Sequence, residues 1–268
     1  MSLSPKYLGV TLDRSLTYKP HCNNVKDKVK TRNNLLRKLV NTQWGAQPKV
    51  LRTSALALSF SAAEYAAEVW ERSAHTKKVD VALNDTVRIV TGCLKSTPVT
   101  KLYPLAGIAP PQIRRQVISS KEMSKAYKEP RHLLYGRERA KRRLKSRKSF
   151  SQTVLCLETI PEYARLNLWR DAVPPNFVEP KESLPPGGDQ DWRTWRALNR
   201  LRSGVARSKD NRRRWGFTEG DVLCDCGVVQ TTAHLCVCPL SPAFCNVEDL
   251  MSANSAAIDV ARFWARHV

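Results

Sequence analysis

Long apolar runs, adjacent aspartates and phosphate-cradling glycine loops are all missing from this sequence. Its most apolar window, Val50 to Trp70, is interrupted by Arg52, Glu64 and Glu68. No segment therefore offers the roughly 20 apolar residues of a membrane-spanning helix. Met1 to Val10 lacks the basic start and apolar block of a secretory signal, so the expected location is intracellular, nuclear and/or cytoplasmic, with no membrane partner. There is no GxGxxG, no GxxxxGK[ST] and no GxSxG, which removes the usual dinucleotide, P-loop and serine-hydrolase readings. No Asp-Asp dipeptide occurs anywhere, nor a compact nuclease or RNase H carboxylate pattern.

Acids are also scarce. Against 45 Lys and Arg stand 24 Asp and Glu, a formal charge of +21. The excess is clustered. Lys121 to Lys148 carries twelve basic residues and three acids, and Trp192 to Trp215 carries nine and one, so these two stretches hold +17 of the +21. Runs this dense repel themselves without a polyanion, which makes nucleic acid (RNA, an RNA–DNA hybrid or DNA) the expected partner. The candidate contacts are Arg139, Arg142 and Arg143 in the first run and Arg196, Arg200, Arg202, Arg207, Arg212, Arg213 and Arg214 in the second. With 42% apolar residues, the 268-residue chain can bury a core and has room for one large or two small domains.

Eight cysteines without a secretory signal read as metal ligands before disulfides. Cys224, Cys226, His234, Cys236 and Cys238 crowd into fifteen residues, with Cys245 just beyond, while Cys22, Cys93 and Cys156 stand alone as ordinary small apolar residues. Thiolate and imidazole are zinc's preferred ligands, and four of them can hold a loop that has little core of its own. The simplest set is Cys224, Cys226, His234 and Cys238, with Cys236 a competitor for the fourth place. Protein would fill all four positions, so the Zn²⁺ is expected to be structural. A reduced, metal-free cluster is the alternative.

Along the chain, Lys6 to Asp13 reads as a short strand ending in a turn. Val25, Val29, Leu36 and Val40 mark a helix broken at Asn41 to Pro48. Val50 to Trp70 follows as a second helix and Lys77 to Val90 as a third, with Gly92 placed to end it. A fourth begins at Pro110-Pro111. Trp44, Tyr65 and Trp70 are either stacking platforms or core. Pro161 to Gly188 reads as a linker with little regular structure. Beyond it come a helix from Trp192 to about Ser203, capped by Asp189 or Asp191, and a closing helix within Asn246 to His267.

Lys6-Tyr-Leu-Gly-Val10 with Leu12-Asp13 resembles the segment closing the palm of non-LTR (LINE-type, jockey-like) retrotransposon reverse transcriptases. Trp192-x-x-Trp195-x-x-Leu-Asn-Arg-Leu-Arg-Ser-Gly204, Trp215-Gly216, Cys224-x-Cys226-Gly227, Gln230-Thr231, His234-Leu235 and Cys238-Pro239 are similar, in the same order, to the tail of those proteins. The resemblance implies a palm remnant at 1–13 and a thumb-like helical bundle at 14–127. A basic segment and Pro/Gly-rich linker follow at 128–190, then a C-terminal helical module with a zinc-knuckle-like loop at 191–268. The fold class is therefore mostly α.

The family's thumb grips a template–primer duplex, which makes Lys28, Arg32, Arg37 and Lys38 candidate phosphate contacts. Its catalytic hairpin ends in an Asp-Asp pair that this chain lacks. The expected function is therefore a nucleic-acid-binding C-terminal (thumb plus tail) fragment of an RNA-directed DNA polymerase, itself without enzymatic activity. The alternatives are a zinc-stabilised nuclear adaptor or protein-interaction module and a degenerate transposon relic without function. A longer catalytic product remains an option if Met1 is not the true start.

Overall fold

A computed structural model describes residues 4–40, 45–137, 150–175 and 177–267. Trp44, Arg139, Arg142 and Arg143 lie outside the described residues. The chain opens on β1 (Lys6–Tyr7) and β2 (Val10–Thr11) and continues into α1 (Lys19–Leu39), α2 (Pro48–Ala55), a π-helical turn (Leu56–Phe60), α3 (Ser61–Glu64) and α4 (Ala67–Trp70). Then come α5 (Lys77–Thr91), α6 (Val99–Ala106), α7 (Pro111–Lys128), α8 (Phe150–Thr153) and α9 (Pro161–Arg170). The last third holds α10 (Trp192–Ser203), α11 (Lys209–Arg214), α12 (His234–Val237), α13 (Val247–Ser252) and α14 (Ser255–Trp264). The protein is mostly helical, and among the described residues no helix is long and apolar enough to cross a membrane. Two compact units are interleaved along the chain. One comprises 1–32, 56–83 and 109–172, the other 33–55, 84–108 and 173–268.

In the first unit the expected single strand is instead a hairpin, Lys6 opposite Thr11 and Tyr7 opposite Val10. Leu8 (φ 43°) and Gly9 (φ 84°) form its two-residue turn, the left-handed pair that suits the twist of a hairpin. Gly9 is needed twice over, because a Cβ there would lie 2.9 Å from the Tyr65 ring. Asp13 acts as a cap: its carboxylate accepts from Thr17 N, Thr17 Oγ1 and Tyr18 N at 3.0, 2.8 and 2.7 Å.

Nor is Val50 to Trp70 one helix. Ala66 adopts φ 50°, and the carbonyl of Tyr65 that this break releases is taken by the Trp70 indole at 3.1 Å. Trp70 is fully buried while Tyr65 is exposed, its hydroxyl donating to Leu8 O at 3.0 Å. Helix α7 packs on α4 and α9 and carries two ion pairs inward. Arg114 binds Glu64, and Arg115 binds Asp80 through two hydrogen bonds of 2.6 and 3.1 Å. Within the stretch expected to be an unstructured linker, α9 is a regular helix, started by Pro161 at its first turn and anchored by the buried Trp169.

The second unit is built around α10. Asp191 caps it, accepting from Arg193 N at 2.9 Å and Thr194 N at 3.2 Å, and Gly204 ends it at φ 72°. Its residues Ala197, Leu198 and Leu201 form a core with Cys224, Cys238, Leu235, Leu250, Val260 and Trp264. The rest of the expected linker packs here: Gly187 lies against Leu198, and Pro186 O accepts from Arg202 at 2.7 Å. The expected closing helix is two, α13 and α14, separated by Ala253 at φ 50°. Each has its own asparagine cap, with a reciprocal Asn246–Asp249 box on the first.

Candidate metal centre and basic helix

The Cys/His loop starts as a tight hairpin. Leu223 bridges Val229, Cys224 N donates to Val228 O at 2.7 Å, and Gly227 turns the chain at φ 83°, its N–H on Cys224 O at 2.8 Å. This folding back brings Cys224 and Cys226 together at one end. Thr231 Oγ1 accepts from His234 N at 3.1 Å at the start of α12, which delivers His234 and Cys238 from the other side. From α14, the Trp264 indole pins Leu235 O at 2.9 Å.

The ligand atoms of Cys224, Cys226, His234 and Cys238 all lie within 4.8 Å of one another, and this is the group that can hold a metal ion among the described residues. Cys224 Sγ is 3.7 Å from Cys238 Sγ, and Cys226 Sγ is 3.3 Å from His234 Nε2. A tetrahedral zinc site has sulfur–sulfur edges of about 3.8 Å and sulfur–nitrogen edges of about 3.5 Å; these two separations match them, and the group could hold a metal ion. Cys236 stands outside the group, its thiol hydrogen-bonded to Cys245.

Burial on its own would raise the Cys224 thiol. Hydrogen bonds from Cys226 N–H, His234, Gln230 and Cys238 outweigh it and bring the thiol down to about 6. Burial, opposed by a hydrogen bond from the Leu240 backbone and reinforced by Cys224 and Cys226, pushes Cys238 up to about 11. Of the three isolated cysteines, Cys22 and Cys93 are buried as small apolar residues should be, but Cys156 is exposed.

A basic helix is tied to this loop. Gln230 connects the two: its Oε1 accepts from Lys209 N at 3.0 Å while its Nε2 donates to Cys224 Sγ at 3.7 Å. Asp210 N reaches Gln230 O at 3.2 Å, and Lys209 Nζ reaches Leu223 O at 2.8 Å. Asn211 binds Thr232 Oγ1 at 3.1 Å and Ala206 O at 2.9 Å. With Ser208 as its cap, α11 exposes Arg212, Arg213 and Arg214, and Arg207 just before it is exposed too. Thr232 and Asn211 escape sequence reasoning, and Gln230 enters it only through the Gln230-Thr231 resemblance, because uncharged amides and hydroxyls carry no pattern of their own.

The other predicted contacts divide. Lys28, Arg37 and Lys38 are exposed on α1, while Arg32 is half-buried and donates to Leu58 O. On α10 the arginines hold backbone carbonyls. Arg200 Nε donates to Gly92 O at 2.8 Å, Arg196 Nη2 to Ala265 O at 3.0 Å, and Arg202 to Leu250 O, Pro186 O and Met251 O at 2.6, 2.7 and 3.3 Å. Arg200 and Arg202 are buried rather than on an exposed face. Burial draws the guanidinium of Arg200 down to about 9, helped by the charges of Arg196 and Arg207, and draws that of Arg202 to the same value. Trp195 and Asn199 complete the face, donating to Val90 O and Thr91 O at 3.1 and 3.0 Å. Together with Arg200 they satisfy the terminal carbonyls of α5.

Over 120 residues, 44% of this chain, the sequence is 32% identical to the "Retrovirus-related Pol polyprotein from type-1 retrotransposable element R1 4" of Nasonia vitripennis. The match covers 31% of that protein, and it supports a retrotransposon-related origin. No family model matches the chain, and no solved structure does.

Proposed function

We propose that the chain is a nucleic-acid-binding fragment of a retrotransposon RNA-directed DNA polymerase, comprising a thumb-like portion and a zinc-stabilised tail and not itself polymerising. The attachment of α11 to the Cys/His loop carries this reading. Lys209 and Asp210 are hydrogen-bonded to Gln230, and Gln230 to the Cys224 sulfur, so a structural zinc would fix where three exposed arginines point. Such residues grip the sugar–phosphate backbone and position a strand without reading its bases. Arg207, Arg212, Arg213 and Arg214 are the contacts we assign, with Lys28, Arg37 and Lys38 as a second set. Arg202 serves the fold, holding three backbone carbonyls.

Fluorescence anisotropy of labelled RNA and RNA–DNA hybrid across a salt series tests the proposal. Affinity should fall steeply with salt, because each neutralised phosphate releases counterions. Binding that is insensitive to salt would overturn it. A second reading, a protein-interaction module, has one specific observation in its favour. Val228, Val229, Val237, Leu240 and Phe244 are exposed apolar residues around the Cys/His loop. Protein partners that stay bound after nuclease treatment, without measurable RNA affinity, would favour it.

A further inference from the structure

Within the second unit lies a cavity of about 300 Å³ whose walls carry four arginines and no acid. Arg37 and Val40 come from the end of α1 and just beyond, Arg88, Ile89, Gly92 and Cys93 from the end of α5 and just beyond, and Trp192, Arg196 and Arg200 from α10. Protein groups account for part of this charge. Arg37 donates to Asn34 Oδ1 at 2.7 Å, Arg88 to Asp85 Oδ1 and Lys95 O at 3.3 Å each, Arg196 to Ala265 O at 3.0 Å, and Arg200 to Gly92 O at 2.8 Å. The Nε atoms of Arg88 and Arg196, however, are buried and without a hydrogen-bond partner. A desolvated charged donor with nothing to donate to is costly, and both of these residues line the cavity. Asp85 offers a formal counter-charge to Arg88.

We propose that this cavity receives the phosphate of a nucleotide, with the guanidinium groups of Arg37, Arg88, Arg196 and Arg200 around the anion. The inference rests on the nucleic-acid reading and gives it a specific pocket. Guanidinium is the side chain best shaped for phosphate oxygens. A volume of about 300 Å³ is at the lower end of the range for organic ligands and exceeds what a bare phosphate needs. The apolar wall of Val40, Ile89 and Trp192 is left for the attached nucleoside. Gly92 keeps the floor open: a Cβ there would meet Arg196 Cγ at 2.5 Å.

The test is isothermal titration calorimetry on the full chain with adenosine 5′-monophosphate, adenosine, and one short RNA carrying either a 5′-phosphate or a 5′-hydroxyl. Wild type is compared with Arg37→Gln, Arg88→Gln and, as a control outside the cavity and both basic runs, Lys77→Gln. Arg37 and Arg88 are chosen because their protein contacts are few and peripheral, and matching circular dichroism spectra verify folding. The monophosphate should bind at least about tenfold more tightly than adenosine, each arginine variant should lose about tenfold, and Lys77→Gln should change nothing. Dependence on the RNA 5′-phosphate would make the strand end the source, whereas monophosphate binding with no such dependence would make it a free nucleotide. RNA that binds while the monophosphate does not, or arginine variants without effect, overturns the inference and leaves the nucleic-acid reading standing. Arginine-dependent monophosphate binding without any RNA affinity does the reverse.

Discussion

Helices α10 and α11 lie five residues apart in the sequence and draw their arginines from one basic run, yet they use them oppositely. On α10, Arg200 and Arg202 are buried against backbone carbonyls. On α11, Arg212, Arg213 and Arg214 are exposed. The difference is length and surroundings. Twelve residues with Trp195, Leu198 and Leu201 give α10 an apolar face that fills a core, and its arginines must follow it inward. They survive burial because the C-termini of α5 and α13 present carbonyls, where a cation is favoured. Six residues with nothing buried give α11 no such face. What holds α11 is the Cys/His loop.

Removing the metal should separate the two helices most strongly. If zinc fixes Gln230 and the loop, chelation should raise hydrogen exchange at the α11 amides while α10 remains protected. Structural zinc contributes about 10 kcal/mol or more to small modules, so this is the largest effect expected. Zinc titration refines it: Cys238→Ser should lose about a hundredfold or more in affinity, and Cys236→Ser, outside the ligand group, should lose little. Equal losses would replace Cys238 with Cys236 as fourth ligand.

Next in size is Arg202→Leu, which leaves the carbonyls of Leu250, Pro186 and Met251 without their donor. A cost of about 3 kcal/mol is expected, read as a lower urea midpoint. Loss of RNA affinity with unchanged stability would instead put Arg202 on the nucleic acid. Asp191→Ala should cost about 1 kcal/mol by removing the α10 cap. Burial would raise the Asp191 carboxyl, but the Thr194 and Arg193 hydrogen bonds outweigh it and hold the group below its usual 3.8. Its contribution is therefore full above pH 3.8 and fades as pH falls through the lower folded value. In Asp191→Ala that part of the acid dependence should vanish.

Much of this division was hidden in the sequence. The extent of α10 was legible, Trp192 to about Ser203 with Asp189 or Asp191 as its cap, and so was the Cys/His loop, whose donors are chemically conspicuous. The fate of the arginines was not. Their partners are carbonyls of Gly92, Pro186 and Leu250, which every residue possesses and no motif marks. The breaks at Ala66 and Ala253 were equally silent, since alanine is the residue least expected at positive φ. Helix α9 was masked by the prolines that follow it.

The smallest effect on stability, and the sharpest on binding, belongs to α11. Replacing Arg212, Arg213 and Arg214 together with glutamine removes side chains that are exposed, with an Arg214–Asp210 ion pair at 2.9 Å that leaves 69% of the Arg214 side chain accessible. Such a pair adds little, so the urea midpoint should move by no more than about 0.5 kcal/mol equivalent. The anchors at Lys209, Asp210 and Asn211 are untouched, so the helix keeps its place on the loop. If each arginine meets one phosphate of a single strand, the salt slope of RNA binding should shrink by about 2, at 0.7 for each lost contact. An unchanged slope would remove α11 from the interface and shift the expectation to Lys28, Arg37 and Lys38. A collapse in stability would mean that α11, like α10, spends its arginines on the fold.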